Sequence, residues 1–189
     1  MEATDYEAPE AQMQAETYIA TGYQRLLTFE VDGGGFSLFG GLPADPFLTA
    51  YGLMEFNDMA AVYPVDPALI ERTAQWLLDR QQPNGTWIDQ AYSEHWRIDS
   101  QVPTTAYITW ALIESGYGDT PEVARAIEML RESVRAGSQE EGGDAYSLAL
   151  VANALAAYDP RDAATQAVLD RLYGMRLTED GAVYWRPAT

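Results

Sequence analysis

The sequence predicts an all-α fold of consecutive helical hairpins arranged in an inner and an outer layer. Three observations carry that prediction. Apolar residues recur at helical spacing in seven segments, about 9–27, 46–60, 67–82, 103–116, 121–136, 145–158 and 160–175, and no run sustains the two-residue alternation of a half-buried strand. The segments alternate in kind. Those at 46–60, 103–116 and 145–158 are apolar around most of their circumference and need cover on several sides, whereas 67–82, 121–136 and 160–175 are amphipathic. Finally, a helix end, a glycine turn and a returning aromatic recur, best formed at Gln81-x-x-x-Gly85-x-Trp87, with weaker echoes at Asp32-Gly33 before Phe36, Gly142-Gly143 before Tyr146 and Asp180-Gly181 before Tyr184 and Trp185. An α/α toroid or a helical solenoid has this organisation.

In chain order, Pro9 suits the first turn of a helix whose Met13, Ala20, Tyr23 and Leu27 share a face. The loop from Thr28 to Ala44 holds Gly33-Gly34-Gly35 and Gly40-Gly41. It has no GxGxxG and no Gly-Lys-Ser/Thr, and acids flank it, so it reads as a turn between helices and not as a phosphate cradle. Asp45-Pro46, Asp66-Pro67, Thr120-Pro121 and Asp159-Pro160 each read as an N-cap followed by Pro at the first helical position, where its missing N–H has no intrahelical role. Asp144 is expected to cap one more helix, and Ser100 or Gln101 precedes Pro103 at another. Pro83 and Asn84-Gly85 stop and turn the chain after Gln82. Val183 to Trp185 reads as a short strand at most.

Composition narrows the function. The chain has 189 residues, enough for one domain with a real core, and a net charge of −18. Phosphate-bearing partners, nucleic acid and anionic lipid alike, would meet repulsion. All eleven basic residues are Arg, which fits either a GC-rich genome or an acidic, salt-adapted surface. No cysteine is present, so disulfides, thiolate metal sites and cysteine nucleophiles cannot form within the chain. The apolar runs are too short to span a bilayer, and the acidic N-terminus carries no targeting signal. The chain is therefore expected to be either cytosolic or a piece of a longer protein.

Candidate chemistry is sparse. His95, the single histidine, could act as a general base oriented by Glu94 or Asp99, but no nucleophile is apparent nearby, and a partly exposed loop histidine is the plainer reading. Glu55, Asp58 and Asp99 could supply a carboxylate pair for glycoside hydrolysis, although 29 acidic residues make chance pairs unavoidable. No metal-ligand spacing stands out, and no cofactor site is expected. Tyr51, Tyr107, Trp110 and Tyr146 on the inner helices could line a ligand cavity or simply pack the core.

Several stretches, in order, resemble one family. They are Gly22-Tyr23-Gln24-Arg25-Leu26-Leu27; Asp32-Gly33 through Phe36-Ser37-Leu38-Phe39-Gly40; Phe47-Leu48-Thr49-Ala50-Tyr51-Gly52-Leu53; Trp76-Leu77 through Arg80-Gln81-Gln82-Pro83-Asn84-Gly85; Ala106-Tyr107-Ile108-Thr109-Trp110-Ala111-Leu112; and Val183-Tyr184-Trp185-Arg186-Pro187. Together they resemble the thioester-containing domain of the α2-macroglobulin and complement family, from about Ala15 to Pro187. The Gln-x-x-x-Gly-x-Trp element is also similar to terpenoid cyclases, whose Asp-rich catalytic motif is not seen.

The resemblance implies an α/α toroid of the terpenoid cyclase/prenyltransferase kind. It makes residues 1–189 a single partial domain, the C-terminal part of the thioester domain and an incomplete barrel of about seven helices that begins just after the segment carrying the thioester. That segment is a Cys-Gly-Glu-Gln-type motif, absent here. The implied parent is a bacterial-type α2-macroglobulin, an extracytoplasmic (periplasmic, cell-envelope or extracellular) protease trap. The chain would be its non-enzymatic scaffold, with the parent's other domains, and target proteases through the parent, as partners. In complement-like members a histidine activates acyl transfer, and His95 lies in the corresponding loop a few positions off. The alternative is an α/α-barrel enzyme on carbohydrate or terpenoid. An incomplete barrel would leave apolar inner faces open, and self-association through them is expected.

Overall fold

The computed structural model describes residues 9–31, 33–88, 101–137 and 144–186. Seven α-helices lie within them: α1 (Pro9–Leu27), α2 (Pro46–Ala60), α3 (Pro67–Leu78), α4 (Gln101–Leu112), α5 (Pro121–Ala136), α6 (Ala145–Tyr158) and α7 (Ala163–Gly174). Two small antiparallel ribbons accompany them, β1 (Glu30–Val31) with β2 (Gly35–Phe36), and β3 (Leu177–Glu179) with β4 (Ala182–Tyr184).

The layers are as predicted. The inner helices α2, α4 and α6 pack side by side, and α3, α5 and α7 lie across them as the outer row. Nine residues of α4 and eight of α6 are buried, which is why those segments read as apolar all round. The main core runs between the rows and contains Leu53, Leu77, Trp87, Ile108, Leu112, Ile127, Leu130, Leu155 and Val168. A smaller core joins α1 to this body through Tyr23, Phe36, Phe56, Val65 and Leu69. Tyr23 is the one buried residue of α1, and Met13 is 61% exposed, so the first half of that helix stands clear of the core.

Four of the predicted caps are made. The side chains of Asp45, Asp66, Thr120 and Asp144 accept backbone N–H bonds at the starts of α2, α3, α5 and α6. Three boundaries differ from expectation. The Asp159-Pro160 pair does not start a helix: Asp159 accepts the Arg161 N–H at 2.9 Å in a turn, and Asp162 caps α7 through the Ala164 N–H at 2.7 Å. Both aspartates offer the same chemistry, and the outer helix starts at the one that also receives Arg131 of α5, at 2.8 Å. Helix α3 ends at Leu78 and not at Gln82, because Gln82 turns to donate to the Thr86 carbonyl at 2.8 Å. Helix α4 starts two residues before Pro103, whose missing N–H is tolerated within the first turn, and it closes in a wide turn at Ile113–Tyr117 where Gly116 takes φ 89°.

Candidate functional site

The turn after α3 is fastened on three sides. The Trp87 indole N–H donates to the Leu77 carbonyl at 2.7 Å, its backbone N–H donates to Thr105 Oγ1 at 3.2 Å, and no part of the residue is exposed. Gln81 Nε2 donates to the Glu122 carbonyl at 2.7 Å, and Gln81 Oε1 accepts from Arg125 Nε at 3.0 Å. Gly85 lies against α5 with φ 85°, and a Cβ there would sit 2.8 Å from the Arg125 carbonyl oxygen. The turn after one outer helix is thus clamped onto the next outer helix and held by the inner helix between them.

The preceding link is built the same way from different residue types. Glu30-x-x-x-Gly34-x-Phe36 has the spacing of Gln81-x-x-x-Gly85-x-Trp87. Glu30 pairs bidentately with Arg72 of α3, at 2.6 and 2.8 Å. Gly34, at φ 118°, leaves no room for a Cβ against the Arg72 carbonyl, and the Phe36 N–H donates to Thr49 Oγ1 at 2.9 Å. Sequence reading placed the first echo at Asp32-Gly33. The signal that finds the true register is the spacing alone, once Glu is allowed for Gln and Phe for Trp.

A second feature lies on the inner row. An Ala-Tyr pair lies within the first two turns of each inner helix: Ala50-Tyr51, Ala106-Tyr107 and Ala145-Tyr146. The alanines are buried, while Tyr51 and Tyr146 are 50% and 56% exposed, so neither tyrosine plugs a gap in the core. Phe47 stacks on Tyr107 with ring centroids 4.4 Å apart, Trp110 meets Tyr107 edge-on at 6.2 Å, and the Trp110 indole N–H donates to Glu114 at 3.1 Å. Burial first, then the neighbouring Tyr51, Glu55 and Tyr146, push the Tyr107 phenol up to about 12. The Glu55 carboxylate, by its charge and its hydrogen bond, also raises Tyr51. These phenols are neutral donors at ordinary pH, and the face offers flat aromatic surface with hydroxyls.

His95, Glu94 and Asp99 lie outside the described residues. Glu55 is partnered with Tyr51, and Asp58 is exposed. A cleft of about 370 Å3 lies between Pro43, Pro46, Trp76 and Arg80, with Asp79 as the carboxylate of its lining and the Arg80 guanidinium 3.8 Å from the Trp76 ring centre. Among the described residues, no three acidic or histidine side chains are grouped to hold a metal ion.

The family model of the A-macroglobulin TED domain matches residues 1–189. The chain belongs to the A-macroglobulin TED family. Among curated proteins it is similar to ovostatin of Gallus gallus, with 26% identity over 174 residues, which is 89% of this chain and 12% of ovostatin. The TED domain is an α/α toroid, and α2, α4 and α6 with α3, α5 and α7 form its two layers. No helix among the described residues is long and apolar enough to cross a membrane.

Proposed function

We propose that this TED chain is the scaffold of a thioester domain in a bacterial α2-macroglobulin-like, broad-spectrum protease trap, and has no catalytic chemistry of its own. The observation that carries the reading is the match to the TED family along the whole chain, in a family that includes protease inhibitors. The chain spans about an eighth of the length of ovostatin, so the inhibitory act belongs to a parent protein in which residues 1–189 form one partial domain. With no cysteine in the chain, a Cys–Gln thioester would have to come from elsewhere in that parent. The clamped hairpins suit a rigid wall for such a bond, because Trp87 and Phe36 are locked by both backbone and side-chain contacts. The inner tyrosine face would dock against the rest of the parent. An extracytoplasmic location and target proteases as indirect partners follow from the same reading.

Methylamine tests this reading on the parent protein. Its nitrogen attacks a thioester carbonyl, the C–S bond breaks, and the sulfur leaves as a free thiol. Intact mass is expected to rise by one methylamine as one new thiol appears, with loss of covalent protease capture. Unchanged mass and thiol count would point to a non-covalent trap and remove the thioester from the proposal.

A further inference from the structure

The glycine that lets the turn after α3 pack against α5 also leaves the residue before it chemically vulnerable. Asn84-Gly85 is the one Asn-Gly pair of the sequence. The other asparagines, Asn57 and Asn153, precede Asp58 and Ala154 inside α2 and α6. A glycine carries no side chain to hinder its own nitrogen. Asn84 is exposed, whereas Gly85 and Thr86 are buried. Asn84 Oδ1 accepts the Thr86 N–H at 3.3 Å and the Thr86 hydroxyl at 2.8 Å, an Asx turn that folds the carboxamide back over the Gly85 amide. The Gly85 N–H in turn donates to the Gln82 carbonyl at 2.9 Å. Gln81 Nε2 donates to the Gly85 carbonyl at 3.2 Å as well as to the Glu122 carbonyl of α5.

We propose that Asn84 is a site of spontaneous modification, converting to aspartate and isoaspartate, and that the clamp onto α5 gates the conversion. The Gly85 nitrogen attacks Asn84 Cγ. A new C–N bond closes a succinimide ring, the Cγ–Nδ2 bond breaks, and ammonia leaves. The Gly85 amide proton passes to solvent base, and solvent returns a proton to the departing nitrogen. Water then opens the ring. Cleavage between Cγ and nitrogen gives aspartate, and cleavage at the main-chain carbonyl gives isoaspartate. One water is consumed and one ammonia released. The nucleophile is the deprotonated amide, so the step needs what hydrogen exchange needs, an N–H released from its partner and reached by base. In the closed turn that N–H is bonded and buried. The reaction therefore waits until Gln81 and Gln82 release Gly85. The two products differ in consequence. Aspartate keeps the backbone and the oxygens that accept from Thr86. Isoaspartate routes the main chain through Cβ and Cγ, which lengthens it just before Gly85. Gly85 packs so closely on the Arg125 carbonyl that a Cβ does not fit, so a longer backbone displaces it. A turn that has opened and formed isoaspartate stays open. The inference rests on bonds within this chain and holds whether or not the parent traps proteases.

Peptide mapping by mass spectrometry follows the acid formed at Asn84, with isoaspartate resolved by chromatography. It is applied to the 189-residue chain held at neutral pH, folded or unfolded in guanidinium chloride. In the unfolded chain Asn84 is expected to convert ahead of Asn57 and Asn153. In the folded chain conversion at Asn84 is expected to be roughly tenfold slower or more. Gln81→Ala is expected to speed it about fivefold in the folded chain, with hydrogen exchange at the Gly85 amide rising by the same factor. Arg125→Leu, which takes the partner from Gln81 Oε1, serves the same purpose if Gln81→Ala lowers the helix content. The isolated isoaspartyl protein is expected to denature at a lower guanidinium concentration than Asn84→Asp. Equal rates in the folded and unfolded chains would overturn the gating, and no acid at Asn84 in the unfolded chain would remove the site. Unchanged rates in both variants, or an isoaspartyl form as stable as Asn84→Asp, would overturn the inference equally.

Discussion

The indole of Trp87 is enclosed on every side and its N–H is bonded to Leu77, so Trp87→Ala removes packing and a hydrogen bond together. The expected loss is about 3 kcal/mol or more, read as a lower midpoint in urea denaturation. Gly85→Ala is expected to cost on the order of 2 kcal/mol, because the backbone is left-handed and the added carbon meets the Arg125 carbonyl. A thermal melt unchanged by Gly85→Ala would show that α5 can move away without penalty. At this scale the sequence was legible where residue types repeat. The Gln81–Trp87 clamp stood out, while its counterpart at Glu30–Phe36 did not, since a salt bridge there takes over from an amide contact and a phenyl ring from an indole. What is conserved between the two is the spacing and the glycine against a carbonyl, neither of which composition reveals.

Helices were the most readable elements, because each has a physical stop and start within a few residues. Asp144 shows how strong a start can be. Burial alone would raise its pKa, but the Ser147 hydroxyl and the amides of Ser147 and Tyr146 outweigh that and hold the carboxyl below its ordinary 3.8. A lowered pKa means that the cap stabilises α6 fully above the unfolded value and loses its effect as pH falls through the folded one. Asp144→Asn is therefore expected to weaken the fold by about 1 kcal/mol at neutral pH and to flatten its stability profile below about pH 4. Denaturant midpoints measured across that range for both proteins check it. Of the small ribbons, only Val183–Trp185 near β4 was read as a short strand, and the rest escaped notice for a simple reason. Two or three residues per strand are too few for alternation to register, and Gly35 gives no face at all.

For the whole molecule, the layered order of the helices was readable from the contrast between all-round and one-sided apolar segments. The open aromatic face was readable only as a list of candidates, since helical spacing cannot tell a buried ring from one at the rim. Tyr51 and Tyr146 prove to be half exposed beside the Phe47–Tyr107 stack. Such a face is expected to drive weak self-association, opposed at low salt by the charge of −18 and strengthened as salt screens it. Sedimentation velocity over a concentration series should show faster species at high salt, diminished by Tyr146→Glu. A single monomeric boundary under every condition would mean that the face is self-sufficient.

The clamps also have a direction in time. Each turn reaches forward, so its anchor leaves the ribosome after it: Glu30 precedes Arg72 by 42 residues, and Gln81 precedes Arg125 by 44. At roughly 5–20 residues per second, an emerging turn waits about 2–9 s for its forward arginine anchor. Helices form in about a microsecond, so each hairpin is built long before its lock arrives. The nascent chain therefore carries one unlocked turn at a time, and the locks close at regular intervals as synthesis proceeds.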